Sequence, residues 1–303
     1  MRRWIFLGLI LAFALTSCTN MQTAKSVTIS QNDVSAVAVK NVDSFSVARV
    51  VVLANGVAEI INALGGHSLL IGRDISSTEK ELTDIPVVTS GHQIIAEKVV
   101  ALKPDLVIID ASSGPRAAIE QIKSVGIRVI QTPESWTLKD IAPKVRAVAS
   151  AIGAEKTGEN LIAAMNKTFL RSRISTPARV AFLYLRGTSS IYLMGGPGSG
   201  ADSLIAAIGA IDVGAQNLPH AFNALTAEAL AAAKPDVILV MSKGLQSVGG
   251  VKGLISLPGV GQTPAGKNSR IIDVDDSLLL SFGPRTPSLV NAMSKALANV
   301  LRK

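Results

Sequence analysis

One unit of the sequence occurs twice, and it constrains the fold more than any other feature. The segment AEKVVALKPDLVI at residues 96–108 aligns with AEALAAAKPDVIL at residues 227–239, at a constant offset of 131 residues. Each copy has the pattern of a helix, a Lys-Pro-Asp corner and a buried strand. A repeated supersecondary unit of this kind indicates two similar α/β lobes.

Strand and helix patterns alternate around both copies. Short apolar runs predict buried strands at residues 49–53, 69–71, 106–109, 128–130, 178–185, 237–240 and 271–272. Amphipathic stretches that end at glycine lie between many of them. We therefore expect the α/β class, with two Rossmann-like lobes whose central sheets are covered by helices. Two such lobes would face each other across a ligand cleft at the carboxyl ends of their strands.

The sequence patterns of successive segments set the expected domain boundaries. A long helical pattern rich in Ala, Lys and Glu follows residue 138, with Gly153 as a candidate break. The expected parts are a signal peptide at 1–17, a lipidated cysteine and tether at 18–47, a first lobe at 48–137, a connecting helix at 138–174 and a second lobe at 175–303. The segment before residue 47 is polar, and we favour a tether there over an edge strand.

The N-terminus has the pattern of an export signal. Arg2 and Arg3 precede twelve apolar or glycine residues, which are too few to span a bilayer comfortably. The sequence Leu-Thr-Ser-Cys then ends at Cys18, the only cysteine of the chain, and resembles a bacterial lipobox. We expect Cys18 to carry lipid chains that hold the protein to the outer face of a membrane. An ordinary signal with an incidental cysteine is the alternative.

Several classes of function are disfavoured. At 48% hydrophobic and 17% charged residues the chain is not disordered. Its basic residues are scattered, which argues against a nucleic-acid partner. The three histidines lack the spacing of a zinc enzyme, and the glycine-rich loop at 195–200 lacks the Lys-Ser/Thr of a phosphate loop. No nucleophile or paired carboxylates stand out, so we do not expect an enzyme.

The lipobox, the repeated unit and the connecting helix together resemble the substrate-binding lipoproteins of bacterial ABC importers. The resemblance is to the single-helix-hinge class that carries cobalamin, siderophores and haem, and it covers about residues 48–303. It implies a monomer that captures its ligand outside the cytoplasm and delivers it to a permease and ATPase. Uptake energy would come from the transporter.

Three stretches favour the haem branch, with haem b as the transported ligand. They are IGRDISST at 71–78, GHQIIAE at 91–97, and the region from Arg186 through GSGADSLI at 198–205. Many haem-binding members have Tyr at the position of His92 and Arg two places on, where this chain has Ile94. A branch with His in the first lobe and Tyr in the second fits better. A ferric siderophore or cobalamin is the alternative ligand.

His92 and Tyr192 are the expected axial ligands of the haem iron, one from each lobe. Haem iron accepts both residue types, although position alone leaves His92 as either a ligand or a surface loop residue. Tyr192 is either a ligand or a half-buried strand residue, and a cation such as Arg186 would favour its phenolate. Tyr184 has the alternation of a packing residue. His67 and His220 are expected to be structural or surface residues.

Two further sets of charges follow from the resemblance. Arg73, Arg186 and Arg285 are candidates for pairing with the haem propionates, since a guanidinium matches a carboxylate. Glu59 and Glu228, one per lobe near a helix start, are candidates for docking on arginines of the permease. Acids at such positions also simply offset the helix dipole.

Overall fold

The computed structural model describes residues 26–39, 44–169 and 177–302 of the chain. The predictions for the signal peptide, for Cys18 and for residues 170–174 of the connecting segment lie outside these ranges. The strands are β1 (Val27–Ile29), β2 (Val50–Val52), β3 (Leu70–Arg73), β4 (Thr89–Ser90), β5 (Gln93–Ile94), β6 (Leu106–Ile109), β7 (Arg128–Gln131), β8 (Arg179–Arg186), β9 (Ile191–Gly195), β10 (Ile211–Asp212), β11 (Phe222–Ala224), β12 (Val237–Met241) and β13 (Ile271–Val274).

Helices and short 3-10 turns connect these strands. The α-helices are α1 (Val57–Ala63), α2 (Ala96–Ala101), α3 (Arg116–Ser124), α4 (Ile141–Ile152), α5 (Glu155–Phe169), α6 (Ala201–Ala207), α7 (Val213–Asn217), α8 (Ala227–Ala233), α9 (Ser242–Ser247), α10 (Gly250–Ser256), α11 (Pro264–Lys267), α12 (Asp276–Leu279) and α13 (Thr286–Leu301). Within the described ranges, no helix is long and apolar enough to cross a membrane.

The first lobe contains β2 to β7 with α1 to α3. Its central sheet is parallel throughout, in the order β3-β2-β6-β7, and β4 and β5 form a separate antiparallel hairpin. Every residue of β2 and β6 is buried, because helices cover both faces of the sheet. These are two of the apolar runs predicted as strands, so the expected α/β class is confirmed.

The second lobe contains β1 and β8 to β13 with α6 to α13. Its sheet has the order β1-β13-β12-β8-β9-β11, and β10 pairs with the first half of β8. In this sheet β1, β13, β12 and β8 run parallel to one another. β9 runs antiparallel to β8, and β11 runs antiparallel to β9. In both lobes the carboxyl ends of the parallel strands therefore form one edge at which a ligand can bind.

The repeated unit builds the same corner in each lobe. After the helix, a lysine takes a left-handed backbone conformation, with φ of 47° in the first copy and 44° in the second. The next aspartate, Asp105 or Asp236, accepts the backbone N–H of Arg49 or Arg179 at the start of the neighbouring strand. That arginine donates back to carbonyl groups at the end of the helix. The repeat therefore fixes how helix, corner and sheet meet.

The expected single connecting helix is two helices. α4 ends at Gly153, which has a φ of 77° and caps the helix with its N–H, and α5 begins two residues later. A Cβ at position 153 would lie 2.8 Å from the hydroxyl oxygen of Ser46, so a larger residue does not fit. The candidate break at Gly153 is thus a full turn between two packed helices.

The N-terminal segment also needs correction. Residues 27–29, expected to be part of a tether, form the parallel edge strand β1 beside β13. Ile29 and Val34 are buried in the core. A strand of three residues in a polar context has too short a hydrophobic pattern to be distinguished from a tether by sequence alone.

One apolar core connects the two lobes. It includes Val52 and Ile60 of the first lobe and Phe182, Val274 and Leu289 of the second. α4, α5 and α13 pack together and against this core. The lobes therefore share buried surface and are held together by more than the connecting helices.

Candidate functional site

A cavity of about 200 Å³ opens at the carboxyl ends of β2, β3 and β6. Asn55 follows β2, Asp74 and Ile75 follow β3, Asp110 follows β6, and His92 reaches the cavity from the β4–β5 hairpin. Ligands of parallel sheets bind at such strand ends. This cavity is therefore the first-lobe half of the candidate site.

His92 lies at the exposed tip of the hairpin. Gly91 precedes it with a φ of 56°, as the first central position of a type II′ turn requires. The hairpin is fixed to the lobe, since the Ile94 N–H donates to the Gly114 carbonyl at 2.8 Å. The structure thus puts this imidazole beside the carboxyl ends of the first-lobe strands. Its role as an iron ligand stays a prediction.

The wall behind His92 is acidic. Asp110 accepts hydrogen bonds from Ser112, Ser113 and the backbone of Asn55. Asp74 accepts the N–H groups of the turn that follows it, and burial raises the pKa of this carboxyl. In the part of the chain that the structure describes, no lysine or arginine lines this cavity. Anionic groups of a ligand are therefore disfavoured on this side.

A basic and aromatic cluster ends β8 in the second lobe. The guanidinium of Arg186 lies 4.5 Å from the centre of the Tyr184 ring, a cation–π distance. Its Nη2 atom lies 3.5 Å from Asp276 Oδ2 at the start of α12. The Tyr184 ring meets Phe222 edge to face, with ring centres 5.6 Å apart. Of the three arginines expected near the propionates, Arg73 and Arg186 each end a strand with a partly exposed side chain, whereas Arg285 is buried.

The tyrosine beside Arg186 is Tyr184 and not, as the sequence analysis expected, Tyr192. Successive side chains of a strand point to opposite faces, so Tyr184 and Arg186 share a face. Tyr192 pairs with Leu185 and packs with it in the core on the other face of the sheet. The sequence contained the signal for this pair, because Tyr184 and Arg186 are two residues apart along one strand.

Arg285 and Glu59 are buried together, which argues against both of their expected roles. The Arg285 side chain is 7% exposed and that of Glu59 is 3% exposed. Arg285 Nε lies 3.1 Å from Glu59 Oε2, and its Nη2 lies 2.6 Å from Glu79 Oε1. Burial raises the pKa of Glu79 to about 7, although the guanidinium of Arg285 opposes this shift. Arg285 is not free for a propionate, and Glu59 cannot reach a permease.

Arg73 is also occupied by its own lobe. Its Nε donates to the carbonyls of Leu82 and Ile85, and its Nη1 donates to that of Ser77 at 2.8 Å. These bonds fold the loop after β3 back on itself. The expected propionate role of Arg73 is therefore not supported by the geometry.

A larger cavity of about 490 Å³ lies against Glu79 and Arg285. It contains neither His92 nor any residue of the Arg186 cluster. Size alone would favour it as a binding site, but its lining lacks Asn55, Asp74 and Asp110, the residues at the carboxyl ends of the first-lobe strands. The smaller cavity at His92 has the position that the fold predicts for a ligand.

Glu228 has an exposed counterpart that the sequence analysis missed. Glu228 is exposed in the first turn of α8, as docking requires. The offset of 131 residues pairs it with Glu97, which is exposed in the first turn of α2. The repeat was therefore the signal that identifies Glu97, rather than the buried Glu59, as the equivalent acid.

The remaining candidates have structural surroundings. His67 lies 3.6 Å from Asp84, and His220 is exposed in a loop. The glycine-rich loop leads into α6, where Asp202 accepts the Gly198 N–H. Among the described residues, no three His, Cys, Asp or Glu side chains come close enough to hold a metal ion.

Comparisons with known proteins find a matching family and related chains. The chain matches the family described as "Periplasmic binding protein" over residues 50–278. It is 26% identical over 267 residues to YvrC of Bacillus subtilis (strain 168), described as an uncharacterized ABC transporter substrate-binding lipoprotein, which covers 82% of this chain and 79% of that protein. It is 27% identical over 153 residues to the vitamin B12-binding protein of Vibrio parahaemolyticus, covering 50% of this chain and 55% of that protein.

Two solved structures are similar over most of the chain. The periplasmic haem-binding protein RhuT from Roseiflexus sp. RS-1 is 36% identical, with a TM-score of 0.77 over 85% of this chain and 100% of that one. The haem-binding protein HmuT is 31% identical, with a TM-score of 0.78 over 91% of this chain and 98% of that one. Structures of HmuT also include alanine variants of a histidine, of a tyrosine, and of an arginine two residues after that tyrosine.

Proposed function

The chain belongs to the periplasmic binding protein family, and from that premise we propose that it captures haem outside the cytoplasm and delivers it to an ABC permease. The observation that carries this proposal is the similarity to haem-binding proteins over most of the chain, at 31–36% identity. Haem is the cargo here and takes part in no reaction. The matched family and the two similar structures are described as binding proteins.

His92 supplies the first-lobe ligand in this proposal. Neutral imidazole is a good ligand for iron, and the exposed hairpin tip leaves the ring free to meet a flat macrocycle. Ile75, also exposed beside the same cavity, offers an apolar contact to the porphyrin. The acidic wall formed by Asp74 and Asp110 turns the propionates away from this lobe.

Tyr184 supplies the second-lobe ligand, in place of Tyr192. A tyrosine oxygen is one of the axial ligands that haem iron accepts, and the guanidinium of Arg186 lies 4.5 Å from the centre of the Tyr184 ring. The HmuT variants support this choice, because a tyrosine followed two residues later by an arginine matches Tyr184 and Arg186. Tyr192 is followed at that distance by Met194.

Attachment and docking complete the proposed function. Cys18 would carry the lipid anchor, as the lipoprotein description of YvrC supports. Glu97 and Glu228 would each meet a basic residue of the permease, one contact per lobe. Two such contacts let a transporter sense the relation between the lobes.

The test is a titration of ferric haem into the purified protein. We expect a shifted Soret band that saturates at one equivalent, a loss of affinity of at least about tenfold in His92→Ala, and an altered spectrum in Tyr184→Phe. Tyr192→Phe is the matched control and should bind like the wild type. An unchanged spectrum on haem addition would contradict the proposal.

Cobalamin is the second candidate ligand, because curated relatives over half of the chain bind vitamin B12. The same titration with cyanocobalamin distinguishes the two ligands. Binding of cyanocobalamin that is insensitive to His92→Ala, together with no haem binding, would favour this alternative.

A further inference from the structure

A buried lysine joins three parts of the molecule where the two lobes meet. Lys144 of α4 is 4% exposed, and its ammonium donates to the carbonyl oxygen of Asn55 at 2.5 Å and to that of Ser281 at 3.0 Å. Asn55 belongs to the first lobe and Ser281 to the second. One side chain of the connecting helices therefore holds the main chain of both lobes.

The same junction contains two more contacts between the lobes. The Asn55 side chain donates to the carbonyl of Leu280 at 3.1 Å. Gly56 comes so close to the second lobe that a Cβ there would lie 2.3 Å from the Ser281 carbonyl oxygen. The two main chains are therefore in direct contact around the ammonium.

Both halves of the candidate site lie next to this junction in the chain. Asn55 lines the His92 cavity, and its N–H donates to Asp110 of the same wall. Leu280 and Ser281 directly follow α12, whose first residue, Asp276, pairs with Arg186. A change in the junction would therefore move the His92 side relative to the Tyr184 side.

The energetics favour a geometric role for Lys144. Among the described residues, no carboxylate lies within ion-pair distance of its ammonium. Burial lowers its pKa to about 8, while Glu59, Asp110 and Asp74 act in the opposite direction from farther away. A buried ammonium bonded only to carbonyls costs more than an apolar side chain of the same size. Its hydrogen bonds are directional, so they hold two carbonyl groups in fixed positions, which an apolar contact does not do.

We propose that Lys144 is a positioning residue for the haem site, because it fixes the separation of the lobes at which His92 and Tyr184 reach opposite faces of one haem. This inference rests on the proposed function. It is distinct from the assignment of the ligands themselves, since Lys144 touches neither ligand nor cargo.

The first measurement compares Lys144→Met with Lys139→Met, a matched control on the exposed surface of the same connecting segment. In Lys144→Met we expect haem to bind through His92 but to lose the tyrosinate charge-transfer band, and to dissociate at least about tenfold faster. Lys139→Met should match the wild type. A Lys144→Met complex with the wild-type spectrum and dissociation rate would overturn the inference.

The second measurement does not depend on haem. Because Cys18 is the only native cysteine, a Cys18→Ser chain with Lys123→Cys and Lys252→Cys carries one spin label on each lobe. Electron–electron distance measurements should show a shifted or broadened distribution in Lys144→Met and no change in Lys139→Met. If wild-type protein binds no haem, the proposed function fails, and these distances still decide whether Lys144 sets the lobe separation.

Asn55→Ala covers the case in which Lys144→Met does not fold. It removes the hydrogen bond from the Asn55 side chain to the Leu280 carbonyl. Because residue 55 is exposed, the substitution leaves no buried polar group unpaired at that position. A broadened interlobe distance and faster haem dissociation in Asn55→Ala support the junction. Wild-type behaviour in both measurements contradicts it.

Discussion

Three charged side chains at the boundary between the lobes, Glu59, Glu79 and Arg285, have almost no contact with solvent. Arg285 belongs to the second lobe, and both acids belong to the first. Removing one partner of a buried ion pair leaves the others unpaired in a medium that solvates charge poorly. The triad is therefore a strong constraint on how the two lobes are joined.

Replacing Arg285 tests this constraint. We expect Arg285→Met to lower the free energy of unfolding by about 3–5 kcal/mol, because two buried carboxylates lose the guanidinium that lies within ion-pair distance of both. Urea unfolding followed by circular dichroism measures the change. The matched control is Arg146→Met, whose exposed pair with Glu159 should matter little. Equal effects of the two substitutions would contradict a structural role for the triad.

The buried carboxyl of Asp212 predicts a pH dependence of stability. Asp212 caps α7, and burial raises its pKa from 3.8 to about 6. The folded state therefore binds a proton more tightly than the unfolded state, so this contribution to stability is full below pH 3.8 and is lost as the pH rises through about 6.

Asp212→Asn removes that titration while keeping a good helix cap. In the wild type we expect the free energy of unfolding to decrease by roughly 2–3 kcal/mol as the pH rises from 3.8 to about 6. The variant should lack this decrease. Urea unfolding at several pH values from 4 to 7 checks this. A wild type and a variant with parallel pH profiles would contradict the assignment to Asp212.

At the level of elements, the sequence predicts the strands and corners well because their signals are local. The continuous apolar runs of β2 and β6 and the repeated Lys-Pro-Asp corner specify buried parallel strands without reference to the rest of the chain. The hairpin that carries His92 was not predicted, because its two strands have only two residues each and give no apolar run.

Other features depend on contacts between distant segments, and there the sequence was insufficient. The strand partner of β1 is β13, at the other end of the chain. The burial of Glu59 depends on Arg285, 226 residues away. The choice between Tyr184 and Tyr192 depends on which face of the second sheet turns toward the first lobe. None of these can be read from one segment alone.

The edge strand β1 makes a prediction that distinguishes it from a tether. Ile29 is 2% exposed and packs in the core that both lobes share. We expect Ile29→Ala to lower the free energy of unfolding by about 2–4 kcal/mol, since it removes buried methyl groups. Ser35→Ala, at an exposed position of the same segment, is the control. No loss of stability in Ile29→Ala would mean that the segment acts as a tether after all.

The molecule as a whole has two similar lobes that differ in electrostatics at the cleft. The first lobe presents an imidazole in front of an acidic wall, and the second presents a tyrosine beneath a guanidinium. From this asymmetry we expect the propionates of a bound haem to point toward the second lobe or the solvent. The repeat that relates the lobes also relates the two exposed acids proposed for docking.

Charge reversal tests docking separately from binding. In vesicles that contain the cognate permease and ATPase, Glu97→Lys and Glu228→Lys should each reduce haem uptake, and the double variant should reduce it further. Haem affinity in solution should not change, because both residues lie on the outer surface of α2 and α8. Glu155→Lys, an exposed reversal on α5, is the control. Uptake equal to the control would contradict the docking pair.

The most direct test of the account is a crystal structure of the protein with ferric haem. It should show one iron held between the lobes, with His92 Nε2 and Tyr184 Oη at bonding distance on opposite faces of the ring. An imidazole turned to solvent, or iron bound by Tyr192 while Tyr184 stays packed against Phe222, would contradict the central claim.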